Sequence, residues 1–156
     1  MADMVLQKDP QNLGLAAVAS AHTSATAGGS GNNVAVTGLT IDRQAYGMPL
    51  NGIFDIIWET VLGATNTLTL KSLKVEDSAD GSSWATYATV TDPGVVATGP
   101  TGGGTVRGIT AMPVSLGSAR RYVHFDWTPQ LSAASTDTMQ AIARLGMRGF
   151  AHLPPP

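Results

Sequence analysis

The sequence predicts an all-β protein, an antiparallel β-sandwich of jelly-roll type preceded by an extended N-terminal arm. Apolar and polar residues alternate with period two in several short runs, the signature of half-buried strands. Eighteen glycines and nine prolines punctuate those runs. No segment combines a helical apolar period with convincing caps, so short strands and glycine-rich turns set the class.

The clearest run covers residues 68–90, LTLKSLKVEDSADGSSWATYATV. Leu68 and Leu70 share one parity and Leu73 and Val75 the other, so an extra residue near Ser72, a β-bulge, keeps both halves facing one core. Asp77, Ser78, Asp80 and Gly81 supply turn chemistry, and Trp84, Tyr87 and Val90 carry the chain back as a second strand.

Three regions follow from composition and punctuation: an arm over residues 1–33, a sandwich over 34–150 and a proline-rich tail over 151–156. Within the arm, residues 1–11 read as a docking or fraying terminus, and residues 13–33 are almost all Ala, Gly, Ser, Thr and Asn. Such a stretch has little to bury by itself. Residues 34–41 read as a first strand and 42–46 as a polar connection. Residues 53–61 form the most apolar strand, with Phe54, Ile56 and Trp58 on one face and Ile53, Ile57 and Val61 on the other. Dressing on both faces predicts a central strand, or one whose outer face meets a partner.

The small-residue stretch 91–104 reads as a long flexible loop. Residues 105–116 form a strand that Pro113 assigns to an edge or a bend. Residues 121–128 place Val123, Phe125 and Trp127 inward and Tyr122, His124 and Asp126 outward. Residues 130–138 are a polar connection. The last element, residues 139–150, is a strand with Met139, Ala141, Ala143, Leu145 and Met147 on one face, although a helix capped by Thr136 or Asp137 fits part of the pattern.

Composition excludes several functions. Without cysteine there is neither disulfide nor thiolate metal site. Nine basic against eleven acidic residues give a net charge of −2 without a basic patch, which argues against nucleic acid as a partner. No apolar run reaches the length of a membrane span, and MADMVLQKDPQ lacks the pattern of a secretory signal, so a soluble chain without a membrane partner is expected. Charged residues make up 13% of the chain, against about 25% in ordinary domains. Low charge fits either a Ser/Thr/Asn-coated surface or an exterior covered by neighbouring subunits.

The motifs that carry chemistry elsewhere are incomplete here. Asp77, Ser78, Asp80 and Gly81 invite a calcium reading, but a calcium-loop spacing needs a closing glutamate where this chain has Ala88, so a plain turn is preferred. Gly102, Gly103 and Gly104 are followed by neither Lys-Ser nor Lys-Thr, which removes a phosphate cradle. His22, His124 and His152 are scattered. His124 and Asp126 share a strand face, yet no Gly-x-Ser-x-Gly elbow marks a nucleophile to join them. Trp58, Trp84 and Trp127 read as core, with a sugar platform as the alternative. Asp42 with Arg43, and Arg120 with Arg121, read as solvated or interface ion pairs. No catalytic, cofactor-binding or metal-ligating residue is assigned, and no cofactor is expected.

One resemblance adds to this reading. The DRQAY segment from Asp42 to Tyr46, the Gly63-Ala64-Thr65 turn and the strand, "DSADGSSW" turn and strand of residues 68–87 resemble small structural proteins of tailed-bacteriophage heads. Leu68, Val75, Asp77, Ser78, Asp80, Gly81 and Trp84 carry the likeness, which covers about half the chain. It implies a capsid decoration, or cement, protein: a non-enzymatic β-sandwich, often a homotrimer, bound to the major capsid protein on the outer surface of the virion after synthesis in the host cytoplasm. Tail or connector roles belong to the same class. From other classes come a glycan-binding module using Tyr122 and a tryptophan and, last, a hydrolase built on His124 and Asp126.

Overall fold

The computed structural model describes residues 15–133 and 136–150. Ten strands follow one another: β1 (Leu15–Val18), β2 (Thr23–Thr26), β3 (Ile41–Asp42), β4 (Pro49–Leu62), β5 (Thr67–Ser78), β6 (Ala85–Thr89), β7 (Gly94–Thr98), β8 (Gly104–Ser115), β9 (Tyr122–Leu131) and β10 (Thr138–Phe150). A 3₁₀ turn at Arg43–Tyr46 is capped by the Asp42 carboxylate, which accepts from the Gln44 N–H.

Every strand pairing is antiparallel, and the strands form two sheets. The first runs β1–β10–β4–β8, with β2 sharing the β1 edge of β10, and the second runs β3–β9–β5–β6, with β7 sharing the β6 edge of β5. Counted as one interrupted strand each, β1 with β2 and β6 with β7 leave eight strands whose order and sheet-to-sheet alternation are those of a jelly roll. The β-sandwich predicted from the sequence is the observed fold.

Alternation places the core as expected. Phe54, Ile56 and Trp58 of β4, and Met139, Ala141, Ala143, Leu145 and Met147 of β10, are buried against Leu68, Leu70, Leu73 and Val75 of β5 and Val123, Phe125 and Trp127 of β9. Phe54 and Phe125 stack across the sheets with ring centroids 4.7 Å apart. Trp58 donates its indole N–H to the Thr110 hydroxyl and lies over Gly108, where a Cβ would come within 2.4 Å of the ring. The predicted bulge is present. The register of β5 on β9 shifts between Lys71 and Lys74, and Ser72 takes a φ of 55°. The backbone of Leu73 that the bulge frees is re-satisfied by the Asp92 carboxylate and the Val90 N–H.

Three expectations are corrected. Residues 15–33 are not an arm, because β1 and β2 pair with β10 and bury Ala19, Ala25 and Ala27. The interruption between the two strands is bridged by Ser20, whose hydroxyl accepts from the Ala143 N–H. The stretch 91–104 is not one long loop but holds β7, paired with β5, and closes in a tight turn at Pro100–Gly103. Residues 34–41 do not form a regular strand. They follow the open edge of β9 through a bridge at Val36–Trp127 and the two residues of β3. Between these contacts, Gly38 turns its N–H to the Asp126 carboxylate instead of to a backbone carbonyl. A Cβ at Gly38 would meet the Phe125 backbone at 2.4 Å, so only glycine fits the approach. The expectations for residues 1–14 and 151–156 lie outside the described residues.

Candidate functional site

On the outer face of the second sheet, the register sets two cross-strand pairs side by side, Lys74 opposite Asp126 and Glu76 opposite His124. Cross-strand partners on one face lie about 5 Å apart, so pairing alone brings these four side chains together. His124 Nε2 is 2.9 Å from Glu76 Oε2 and 3.5 Å from Asp126 Oδ1. Lys74 Nζ bonds Glu76 Oε1 and stands 3.4 Å from Asp126 Oδ2. The Trp84 ring, carried back over the sheet by the turn before β6, stacks on the imidazole at a centroid distance of 4.0 Å.

Lid and neighbours leave the His124 side chain 6% exposed and that of Asp126 11% exposed. Both point away from the core, as the alternation predicts, yet they are buried, which the alternation does not predict. The bond from Lys74, followed by that from His124, holds the Glu76 carboxyl below its ordinary range, and the same Glu76 contact raises Lys74.

His124 and Asp126 therefore meet as partners of Glu76 and Lys74, and among the described residues no serine is hydrogen-bonded to either. Glu76 is the residue that sequence reasoning passed over. Its signal was the outward parity of Lys74 and Glu76 on β5, which becomes informative once the register against β9 is known.

The 77–81 segment is a turn whose carboxylates are already engaged. Asp80 accepts from the Ser83 and Ser82 N–H groups and from the Ser78 and Ser83 hydroxyls, and these bonds, the two backbone ones foremost, pull its carboxyl well below the usual range. Asp77 is buried, which by itself would raise it, but bonds from the Arg120 guanidinium at 2.6 and 2.8 Å and from the Arg120 N–H outweigh burial and lower it.

The pairing of neighbours expected at Asp42–Arg43 is replaced by a long-range one. Asp42 is held below its normal range by Arg121, which binds both its oxygens. Arg43 is buried at 1% exposure and donates to the carbonyls of Pro49, Leu116, Ala119 and Arg120. It ties the 116–121 turn to the start of β4. Trp58 and Trp127 are core residues, and Trp84 is the lid just described. Tyr122 carries the Arg121 guanidinium 4.8 Å from its ring centroid and packs beside Gly81.

The outer face of the first sheet has the opposite character. Ile142, Ile57 and Ile109 are register partners across β10, β4 and β8 and form one row. Ile53, Ile57 and Val61 run along β4 at 38%, 37% and 43% exposure, and Ile109 is 60% exposed. On either side of the row, Asp55 pairs with Arg144 and Glu59 with Arg107, so the charges cancel within the chain. Two shallow depressions cross this face, one of about 500 Å³ beside His22, Ile57 and Gln140 and one of about 670 Å³ between Ile53, Pro113 and Arg148.

No protein-family model matches the chain, and no curated protein matches it. Among solved structures it is similar to the PBSX exported protein XepA, at 18% identity and a TM-score of 0.41 over 91% of this chain and 39% of that one. It is similar also to the structure of the infectious bursal disease virus Gt strain, at 13% identity and a TM-score of 0.41, covering 94% of this chain and 37% of that one. A third is the CBM22-1–GH10 portion of Clostridium thermocellum xylanase 10B complexed with xylohexaose, at 10% identity and a TM-score of 0.38, covering 92% of this chain and 27% of that one. The chain thus spans less than two fifths of each of these structures.

Proposed function

We propose that this chain is a non-enzymatic structural protein of a phage virion, which decorates and stabilises the capsid by bridging subunits of the major capsid protein on the outer surface. The observation that carries the reading is the outer face of the first sheet, where Ile53, Ile57, Val61 and Ile109 stand exposed, with half-buried Ile142 in register beside Ile57, between internally neutralised ion pairs. Strands β4, β8 and β10 span a surface of about 40 by 15 Å, roughly 600 Å². That is the lower end of the area each partner contributes to a stable protein interface, about 600–1,000 Å². An apolar centre with a polar rim is the anatomy of such interfaces, and charge already paired within the chain costs less to cover.

The sequence resemblance to phage head proteins supports the choice of partner, and it supports a homotrimer as the bound form. Weak contacts multiplied over a lattice then give firm attachment without a deep site. The test mixes purified protein with expanded phage shells and follows co-sedimentation and the shells' heat resistance, with the mass in solution measured alongside. The reading expects self-association, saturable binding and a raised disruption temperature. A monomer that never sediments with shells contradicts it.

A further inference from the structure

The polar cluster on the opposite face is not used by that function, and its geometry asks for a positive centre. His124 Nε2 faces oxygens of both Glu76 and Asp126, at 2.9 and 3.5 Å. Carboxylates only accept, and one ring nitrogen carries at most one proton, so the point between the three atoms favours a proton or a metal ion. One ligand atom from each residue falls within 4.8 Å of the others. An ion bound at about 2.1 Å would hold such atoms roughly 3–3.5 Å apart, within a small rotation of the two carboxylates.

We propose that Glu76, His124 and Asp126 form a binding site for a divalent transition-metal ion, and that Lys74 is the internal cation competing for it. Imidazole with two carboxylates suits Zn²⁺ and its first-row neighbours better than Ca²⁺ or Mg²⁺, which prefer all-oxygen sets. The ligands come from two adjacent strands of the rigid sandwich. Trp84 covers the imidazole, and the Gly38 N–H fixes Asp126 through Oδ1 at 3.1 Å. Lys74 contacts both carboxylates from the open side, and its side chain is 38% exposed, so it can swing into solvent as the ion enters. In the bound form the neutral imidazole ligates through Nε2 and carries its single ring proton on Nδ1, and water completes the coordination.

Zn²⁺ titration of the chelator-treated chain by calorimetry tests the site. The wild type is expected to take one ion per chain. His124→Asn, and separately the shape-conserving Glu76→Gln, should weaken binding about 100-fold. Lys74→Met should strengthen it about tenfold, because the competing charge is removed. That gain is the outcome a merely ion-paired cluster would not give. The double variant His22→Asn/His152→Asn should bind as the wild type does. The proposal is overturned if neither wild type nor Lys74→Met binds, if Lys74→Met binds no tighter than wild type, or if the His22/His152 variant loses the ion.

Discussion

The two outer faces of this sandwich are built on the same alternation and finish in opposite states. On the second sheet, outward polar residues find partners within the chain: Glu76, His124, Asp126 and Lys74 join one network beneath Trp84, and at the end of the inward row of β5 Asp77 closes on Arg120. On the first sheet, the outward positions hold Ile53, Ile57, Val61 and Ile109, which stay exposed among the described residues, and half-buried Ile142. The inner faces are equally apolar, so the core does not explain the difference. A face that satisfies its own polar groups is complete as it stands, whereas an exposed isoleucine row gains only when something else removes it from water.

The sharpest way to break the comparison is to charge the apolar face. Ile57→Lys sits at the middle of the row, flanked on its own strand by Asp55 and Glu59, so the folded chain should change in stability by no more than about 1 kcal/mol. Shell binding should fall at least about 100-fold, since covering the surface would then bury an ammonium without a partner. Lys71→Ala, on the other sheet, should bind as the wild type does. Co-sedimentation with shells beside a urea melt reads both quantities, and equal losses from the two variants would erase the distinction between the faces.

The second sheet should respond in stability instead. Asp77→Asn removes the charge that Arg120 grips through its guanidinium and backbone N–H. The aspartate is buried while the arginine is 41% exposed, so the cost is about 2 kcal/mol, below that of a fully buried pair. Shell binding should be unchanged at temperatures where the variant is folded. Chemical denaturation measures the first expectation and sedimentation the second.

What the sequence made legible was the part governed by large side chains in strict alternation. The parity switch at Ser72, the inner face of β10, the two-faced central strand β4 and the edge position of Pro113 could all be read because Leu, Val, Met and Phe mark a face unambiguously. The strands β1, β2 and β7 escaped because Ala, Gly, Ser and Thr bury little area each, and their fit depends on how closely the facing sheet approaches. Arg43 escaped because a guanidinium reads as surface until four carbonyls from distant segments are known to surround it. The site was half legible: the shared face of His124 and Asp126 followed from the strand, while Glu76 needed the register across the bulge. The ion pairs Asp42–Arg121 and Asp77–Arg120 join residues far apart in sequence, where adjacency pointed to Arg43 for Asp42 and offered Asp77 no partner.

Acid offers a graded version of the same contrast. Glu76, Asp77, Asp42 and Asp80 all titrate below their ordinary values, and all belong to the second sheet or its adjoining turns. A carboxylate lowered in the folded chain contributes stability above its unfolded value, about 3.9 for Asp and 4.3 for Glu, and loses it as pH falls through the folded value. Stability should therefore hold from pH 7 to about 5 and decline steadily below that. The Glu76→Gln/Asp77→Asn double variant should start lower and show a flatter decline. Urea melts at stepped pH read this directly, and parallel profiles for the two proteins would show that the acid response originates elsewhere.

The smallest expected effect concerns the lid. Trp84→Ala removes a ring that stacks on His124 but remains partly exposed, so the loss should be about 1 kcal/mol, the scale of one aromatic stack. The more telling readout is water reaching the network: with the ring gone, the bonds joining Glu76, His124 and Lys74 lie in a higher dielectric and weaken. Adding salt should then destabilise Trp84→Ala more than the wild type, because screening acts most strongly on solvated pairs. Identical salt dependence in the two proteins would mean that Trp84 covers the cluster without shielding it, and the polar face would then owe its completeness to its hydrogen bonds alone.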